Sequence, residues 1–410
     1  MTAWLVDDAA PEPLAAAARA LAEYPGDPLR AGTALRRAQP AMAPAVAAAC
    51  LEQAELRRRA REQYGIVADD LLLTRDGLEQ ATRPEVADHR AAVLRAAGVE
   101  RVLDLTAGLG FDTAAFLRAG LTVTALERDP DTARLCRHNN PEARVSCADA
   151  TDPATLEPLL ARLPAADAVF VDPARRDPRA PRDGSSGRSR PERDPGRWSP
   201  PWTFVEGLSH PRVAAKVAPG FRVPAGWQAE WTSVRRTVVE CAVYSWDALG
   251  ADRRAAVVAP SGAIIVLGGR AEAAPTAEAI GPWLHEPDPA VVRAGLAGAL
   301  AREVPGVAQV APDSSWLTGA EVARSPRLDA LMRSYRVLAE LTGSAADQRR
   351  ELARHDVGAI TVKTADVSTD PAAIRRRLDR PEGAGHVVIV LTRLGRAISL
   401  LALPATRQSG

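Results

Sequence analysis

Four carboxylates, Asp104, Glu127, Asp149 and Asp172, stand at or just beyond the ends of four short strand-like runs, Val102–Leu105, Leu121–Leu126, Ala143–Cys147 and Ala168–Val171. The first run continues into Asp104-Leu-Thr-Ala-Gly108-Leu-Gly110-Phe-Asp112, a glycine-containing turn that opens a helical pattern. Glycines let backbone N–H groups come close to a ligand, and a helix N-terminus favours an anionic group. The acid before the turn suits a ligand that also carries an ammonium, as a methionine moiety does. A dinucleotide fold would use two glycines as well, but the third glycine of its fingerprint falls here at Thr113. Glu127 can accept both hydroxyls of a ribose, and Asp149 can accept an adenine amino group. Acids after strands are also common as helix N-caps. That explanation serves for any one of the four, but poorly for all four together with the glycine turn.

Strands must carry these acids to one edge. Helical patterns at about Phe111–Arg118, Pro130–His138 and Ala154–Arg162 separate the four runs, which predicts parallel pairing through right-handed crossovers. Ligands of such sheets bind at the C-terminal ends of the strands. Val213–Val217 reads as a fifth strand, with Glu230–Ser245 and the pair Ala255–Ala259/Ala263–Leu267 as antiparallel additions. The expected fold class is α/β. Its domains are a helical N-terminal domain (1–98), a Rossmann-like domain (99–268), a small α+β connecting domain (282–333) and a last α/β domain (334–405). In the first, Leu14–Glu23, Leu29–Ala38, Ala45–Gln63 and Arg83–Ala97 read as helices, with Leu71–Thr74 extended. Trp283–Val304 reads as helical after Pro289. In the last domain the order is strand Tyr335–Leu341, helix Ser344–His355, strand Val357–Val362, helix Pro371–Leu378 and a hairpin of Val387–Thr392 with Ala397–Leu403.

The 410 residues carry a net charge of +1, which neither suggests nor excludes a nucleic-acid partner. Lys216 and Lys363 are the only lysines among 52 basic residues, an arginine bias typical of GC-rich coding that discounts any local arginine cluster. Lys216, near the end of the fifth strand, could neutralise a carboxylate or touch substrate. No apolar run approaches the roughly 20 residues of a membrane span. Met1–Asp8 lacks the features of a signal peptide, and the four widely spaced cysteines form no C-x-x-C, so a reducing cytoplasm is expected. The six histidines show no metal-ligand spacing, and no metal is expected.

The chain resembles class I S-adenosylmethionine-dependent methyltransferases. The resemblance implies S-adenosylmethionine as cofactor, held by Asp104, Thr106, Gly108, Gly110, Glu127, Asp149, Ala150 and Asp172. Asp172-Pro173 resembles the start of the [Asn/Asp]-Pro-Pro-[aromatic] motif of amino-group methylases. This implies catalysis by positioning, in which Asp172 and the adjoining Pro173 carbonyl accept hydrogen bonds from a target amine. Here the motif departs, with Ala174 for the second Pro and Arg175 where an aromatic would stack on a base.

A fuller resemblance is to bacterial methyltransferases with a THUMP-like domain. It rests on Leu103–Asp112, Asp172–Arg176, Trp198–Pro201, Glu286-Pro287-Asp288-Pro289, Trp316–Gly319, and Ile360–Lys363 through Val390–Arg393. It implies an RNA substrate, tRNA or rRNA, with methyl transfer to a nitrogen. Candidate substrate residues are Arg175, Arg176, Trp198 and Lys216. Trp198 or Trp202 could supply a stacking face, and a Trp beside Pro-Pro is as often a packing anchor. The segment Arg175–Trp202 holds eight arginines against four acids, and Arg333–Arg407 holds 13 basic residues against eight acids, with Arg375-Arg376-Arg377 on one helix. Both could engage phosphates, and both could be solvated surface. A methyltransferase for a small molecule or protein side chain, or a non-catalytic binder of the cofactor, remains open.

Overall fold

The computed structural model describes residues 11–65, 70–175, 192–312, 314–322, 325–364, 370–378, 383–394 and 396–404. The chain divides into two compact units, Met1–Ala218 with Val243–Ala248, and Pro219–Ala242 with Leu249–Gly410.

The first unit begins with helices α1 (Pro11–Glu23), α2 (Pro28–Ala38) and α3 (Pro44–Tyr64), each opened by a proline. That residue is tolerated in the first turn, where its missing N–H has no partner to lose. Between them and the sheet runs Leu71–Leu73, which joins no strand. Side chains satisfy its backbone instead: Gln53 both donates to and accepts from Leu73, at 2.6 and 2.9 Å, and Asn139 does the same for Leu72, at 3.0 and 2.8 Å. Helices α4 (Arg75–Glu79) and α5 (Pro84–Ala96) follow. The apolar core of α1–α3 includes Leu109 from the glycine turn and Leu135, so the helices and the turn are buried against one another.

Strands β1 (Arg101–Asp104), β2 (Thr122–Glu127), β3 (Arg144–Cys147), β4 (Ala168–Val171) and β5 (Val213–Val217) alternate with helices α6 (Phe111–Arg118), α7 (Pro130–Asn139) and α8 (Pro153–Arg162). The five strands are parallel in the order β3-β2-β1-β4-β5, as the sequence predicts. The order reverses between β1 and β4. This is the topological switch point, where a crevice opens beyond the carboxyl ends of the strands. A short helix α9 (Trp202–Glu206) precedes β5, and the last residues of β7 (Thr237–Tyr244) follow β5 in the sheet order.

In the second unit the earlier part of β7 lies beside β6 (Gln228–Val234), followed by β8 (Arg253–Val258) and β9 (Ile264–Gly269). The β8–β9 hairpin is antiparallel as expected, whereas β8 runs parallel to β6. The helix expected after Pro289 is two helices, α10 (Pro289–Ala294) and α11 (Ala297–Glu303), because Gly295 adopts a left-handed φ of 70° and ends the first. Strands β10 (Trp283–Pro287), β11 (Val307–Gln309) and β12 (Leu317–Gly319), helix α12 (Pro326–Leu331), β13 (Met332–Glu340), α13 (Ala345–Arg354), β14 (Val357–Thr364), α14 (Pro371–Leu378), β15 (Gly385–Leu394) and β16 (Arg396–Pro404) complete it. One seven-stranded sheet of order β11-β12-β10-β13-β16-β15-β14 contains all of those strands. The last element order matches the sequence expectation; Gly395 of the predicted hairpin turn lies outside the described residues.

Motif residues singled out in the sequence fasten this sheet. Glu286 on β10 accepts from Lys363 Nζ on β14 at 2.7 and 2.6 Å and from Tyr335 Oη on β13 at 2.8 Å. The ammonium lies 5.6 Å from the Tyr335 ring and 6.0 Å from the Trp316 ring, within cation–π range. Asp288 accepts from Ser233 Oγ on β6 at 2.5 Å and caps α10 through Ala290 N at 2.9 Å. No helix among the described residues is long and apolar enough to cross a membrane.

Candidate active site

A cleft of about 1070 Å³ opens at the switch point, and every residue lining it belongs to the first unit. Its floor is the turn after β1, with Thr106 and Gly108 exposed to it; Glu127 from β2, Asp149 and Ala150 after β3, and Asp172 after β4 complete that side. At the upper end of the range of about 300–1,000 Å³ typical of small-molecule sites, it can hold a nucleoside-sized donor with space beside it.

None of the four strand-end carboxylates is spent as a helix cap. Asp129 caps α7 through Thr132 N at 2.8 Å, and Asp152 caps α8 through Ala154 N at 3.1 Å, which leaves Glu127 and Asp149 for other work. Elsewhere among the described residues each Asp-Pro step opens a helix or helical turn: at Asp27, Asp129, Asp152, Asp194, Asp288 and Asp370 the carboxylate accepts an N–H of the first turn. Asp172-Pro173 has the same two residues and opens no helix. Instead the Asp172 N–H donates to Thr106 Oγ1 at 2.6 Å, and its carboxylate pairs with Lys216.

The glycine turn separates two roles that the sequence joined. Gly108 holds φ at +55°, and a Cβ there would meet nothing within 4 Å, so its backbone faces open space. Gly110, at φ +84°, faces away from the cleft: a Cβ there would collide with the Asn140 amide and lie 3.0 Å from Cys136 Sγ. Its absent side chain lets the turn approach the C-terminal end of α7. Glu127 accepts from Gly108 N and from Asp129 N, both at 2.9 Å, and so fixes the turn to β2. Asp149 accepts from the Thr151 hydroxyl at 2.7 Å and the Thr151 N–H at 2.8 Å, which hold it below its ordinary pKa.

Asp104 is only 1% exposed and lies beneath the cleft rather than in its lining. Burial pushes its carboxyl up to about 7, against hydrogen bonds from Thr113 Oγ1 (2.7 Å) and Thr106 N (3.1 Å) that lower it. It can act on a bound cation through the field it sets up and through the turn it braces.

Lys216 neutralises a carboxylate, one of the roles expected for it, but it is buried where a strand-end lysine is by default on the surface, and sequence reasoning missed the rest of the ionic network next to Asp172. Lys216, 5% exposed on β5, is surrounded by Asp172 Oδ2, Asp112 Oδ2 at 3.5 Å and Thr82 Oγ1 at 2.6 Å. Thr82 donates in turn to Asp112 at 2.9 Å, and the other oxygen of Asp112 accepts from Arg90, whose guanidinium stacks 5.3 Å from the Phe170 ring. Burial alone would raise Asp112, but Arg90 and Lys216 hold it low. A signal for Arg90 was present: Val86, Ala87, Arg90, Ala91, Val93 and Leu94 share the buried face of α5, so a charge sat in an apolar stripe. Also unanticipated, Thr74, Asp76, Gly77, Gln80, Ala81 and Thr82 form a wall of the cleft from the helical N-terminal region.

The expected substrate residues are placed differently. Trp198 is 3% exposed, and its indole N–H donates to the Glu192 carbonyl at 3.2 Å, so it is a packing anchor outside the cleft lining. Pro173 is buried and Arg175 half-buried. The Ala174 and Arg175 carbonyls are taken by Ser199 N at 3.1 Å and Glu192 N at 2.6 Å. Arg176 and the rest of the segment to 191 lie outside the described residues.

These features fit S-adenosylmethionine: a glycine turn with one open face, strand-end acids free of capping duty, and a buried carboxyl balanced near neutrality. Residues 332–404 match the THUMP domain-like family. An uncharacterized S-adenosylmethionine-dependent methyltransferase of Mycobacterium tuberculosis, found in strains CDC 1551 and H37Rv, is 31% identical over 364 residues, covering 84% of this chain and 92% of the relative. The crystal structure of a candidate methyltransferase from Porphyromonas gingivalis W83 superposes with a TM-score of 0.71 at 18% identity, over 96% of this chain and 98% of that one, and shares the fold. The chain therefore belongs to the S-adenosylmethionine-dependent methyltransferases, and S-adenosylmethionine is its methyl donor.

Proposed function

We propose that this enzyme methylates a nitrogen of an RNA nucleotide in tRNA or rRNA, with the THUMP-like module presenting the RNA. The observation that carries the reading is the Asp172-Pro173 step, which lies at the switch point and spends its acid on no helix cap. The donor supplies an electrophilic methyl group when bound. The chain's own residues do the rest by positioning. Glu127 would accept the ribose hydroxyls, and Asp149, followed by Ala150, would accept the adenine amino group. Thr106 and Gly108 would border the amino-acid end, with Asp104 beneath them stabilising its positive charge.

Opposite the donor, Asp172 and the Pro173 carbonyl would accept the N–H groups of the target amine and aim its lone pair at the methyl group. With Ala174 and Arg175 in place of proline and an aromatic, no stacking face comes from this motif. Arg175 and Arg176 would serve as phosphate contacts. The THUMP domain-like match supports RNA as the acceptor.

The test is transfer of labelled methyl from S-adenosylmethionine to fractions of a strain lacking the gene. Label is expected in RNA and should disappear with RNase. Label confined to an RNase-resistant fraction would move the reading to a small molecule or a protein side chain.

A further inference from the structure

We infer that Lys216 is a positioning residue for methyl transfer, acting through Asp172, and that Thr82 and Asp112 exist in this fold to hold it. The inference rests on the reading of Asp172 as the group that accepts from the target amine. An ammonium has three N–H donors that diverge from one nitrogen, and around Lys216 stand three acceptors: Asp172 at the end of β4, Asp112 on α6 and Thr82 just before α5. A guanidinium spreads its N–H donors in one plane over three nitrogens, and so cannot present three diverging donors from a single nitrogen. That gives a reason for a lysine at this position in a chain whose other basic residues, Lys363 aside, are all arginine.

The charges alternate along the chain of contacts Asp172, Lys216, Asp112 and Arg90. Asp172 and Asp112, with side-chain exposures of 24% and 10%, line the cleft, whereas Lys216 and Arg90, at 7% and 2%, are not in its lining. Each buried charge thus lies beside one of opposite sign, the condition under which such groups are tolerated. For Asp172 the consequence is directional. Its N–H is fixed on Thr106 and its Oδ2 on Lys216, so among the described residues Oδ1 is the oxygen left to serve the acceptor. Two of the three anchors of Lys216 come from outside the parallel strands, and Thr82 comes from the helical N-terminal region. That region is therefore part of the transfer site as well as a wall of the donor cleft.

The experiment measures initial rates against S-adenosylmethionine concentration, with whole extract of a strain lacking the gene as acceptor, so that it does not depend on the acceptor's class. Lys216→Met is expected to lower Vmax 30-fold or more while the apparent KM for S-adenosylmethionine stays within threefold. Thr82→Val, which removes one anchor and keeps the shape, should lower Vmax at saturating S-adenosylmethionine three- to tenfold; because Thr82 also lines the donor cleft, only its Vmax is read, and it carries the test if Lys216→Met does not fold. Wild-type Vmax in both variants, or a KM of Lys216→Met that rises in step with its loss, overturns the inference, since a packing role would act on donor binding too. Asp172→Asn, assayed alongside, separates the two claims. If it alone loses transfer, only the role of Lys216 is wrong; if it keeps wild-type transfer, Asp172 is not the accepting group and both fail.

Discussion

Gly77 packs against Leu109 so closely that a Cβ on the glycine would lie 2.6 Å from Leu109 Cγ. Leu109 sits between the two glycines of the turn, and Gly77 belongs to α4 in the cleft wall, so this contact couples the N-terminal region to the donor site. Gly77→Val is expected to displace Leu109, costing about 1–3 kcal/mol of stability as overpacking does, and to weaken binding of S-adenosylmethionine. Thermal unfolding and calorimetric titration check the two effects. Unchanged affinity would uncouple α4 from the turn.

Glu127→Ala removes two hydrogen bonds that brace Gly108 and Asp129, as well as the proposed ribose contact. Each hydrogen bond to a charged group is worth about 1.5–3 kcal/mol. The variant should bind S-adenosylmethionine at least tenfold more weakly, as measured by titration, while its circular dichroism spectrum stays that of the wild type.

Asp104 gives the donor-free enzyme a pH dependence whose sign is fixed by its raised pKa. The folded chain holds this proton more tightly than the unfolded chain. The resulting stability is complete below the ordinary carboxyl value of 3.8 and is lost as pH rises through about 7. At most it amounts to about 4 kcal/mol. Asp112 acts in the opposite window: Arg90 and Lys216 hold its pKa low, so its contribution is present above the ordinary value and is lost in stronger acid. Asp104→Asn should therefore flatten the fall in thermal midpoint between pH 4 and 7. Parallel curves for the two proteins would remove Asp104 from this role.

If the THUMP-like module engages RNA phosphates, the exposed arginines of α14 should contribute to the salt dependence of binding. Replacing Arg375 and Arg376 with Gln should reduce the slope of log K against log salt by about 1 to 2. An unaltered slope would place the RNA elsewhere.

Much of the fold was legible because its signals are local. Short strand-like runs, the glycine turn and the helical patterns between the runs give β1 to β4, α6 to α8 and the whole order from β13 to β16 at nearly their observed bounds. The break at Gly295 was local as well, but Pro289–Val304 has helical residues on both sides of that glycine and reads as continuous. The direction of β8 depends on its partner β6, which hydrophobic pattern does not specify. In the site, the strand-end carboxylates stood out by position. Thr82, Arg90 and Asp112 did not, because their pairing joins residues distant in sequence and a threonine before a helix or an acid in its first turn has ordinary local reasons to be there. Gly110 looked like a ligand residue because motif spacing does not tell which side of a turn faces the ligand.

The central claim is that Asp172 acts on the acceptor and not on the donor. Asp172→Ala should bind S-adenosylmethionine within about threefold of wild type, a span of under about 0.7 kcal/mol, yet transfer no labelled methyl group to RNA from the strain lacking the gene. Full turnover by this variant would contradict the account.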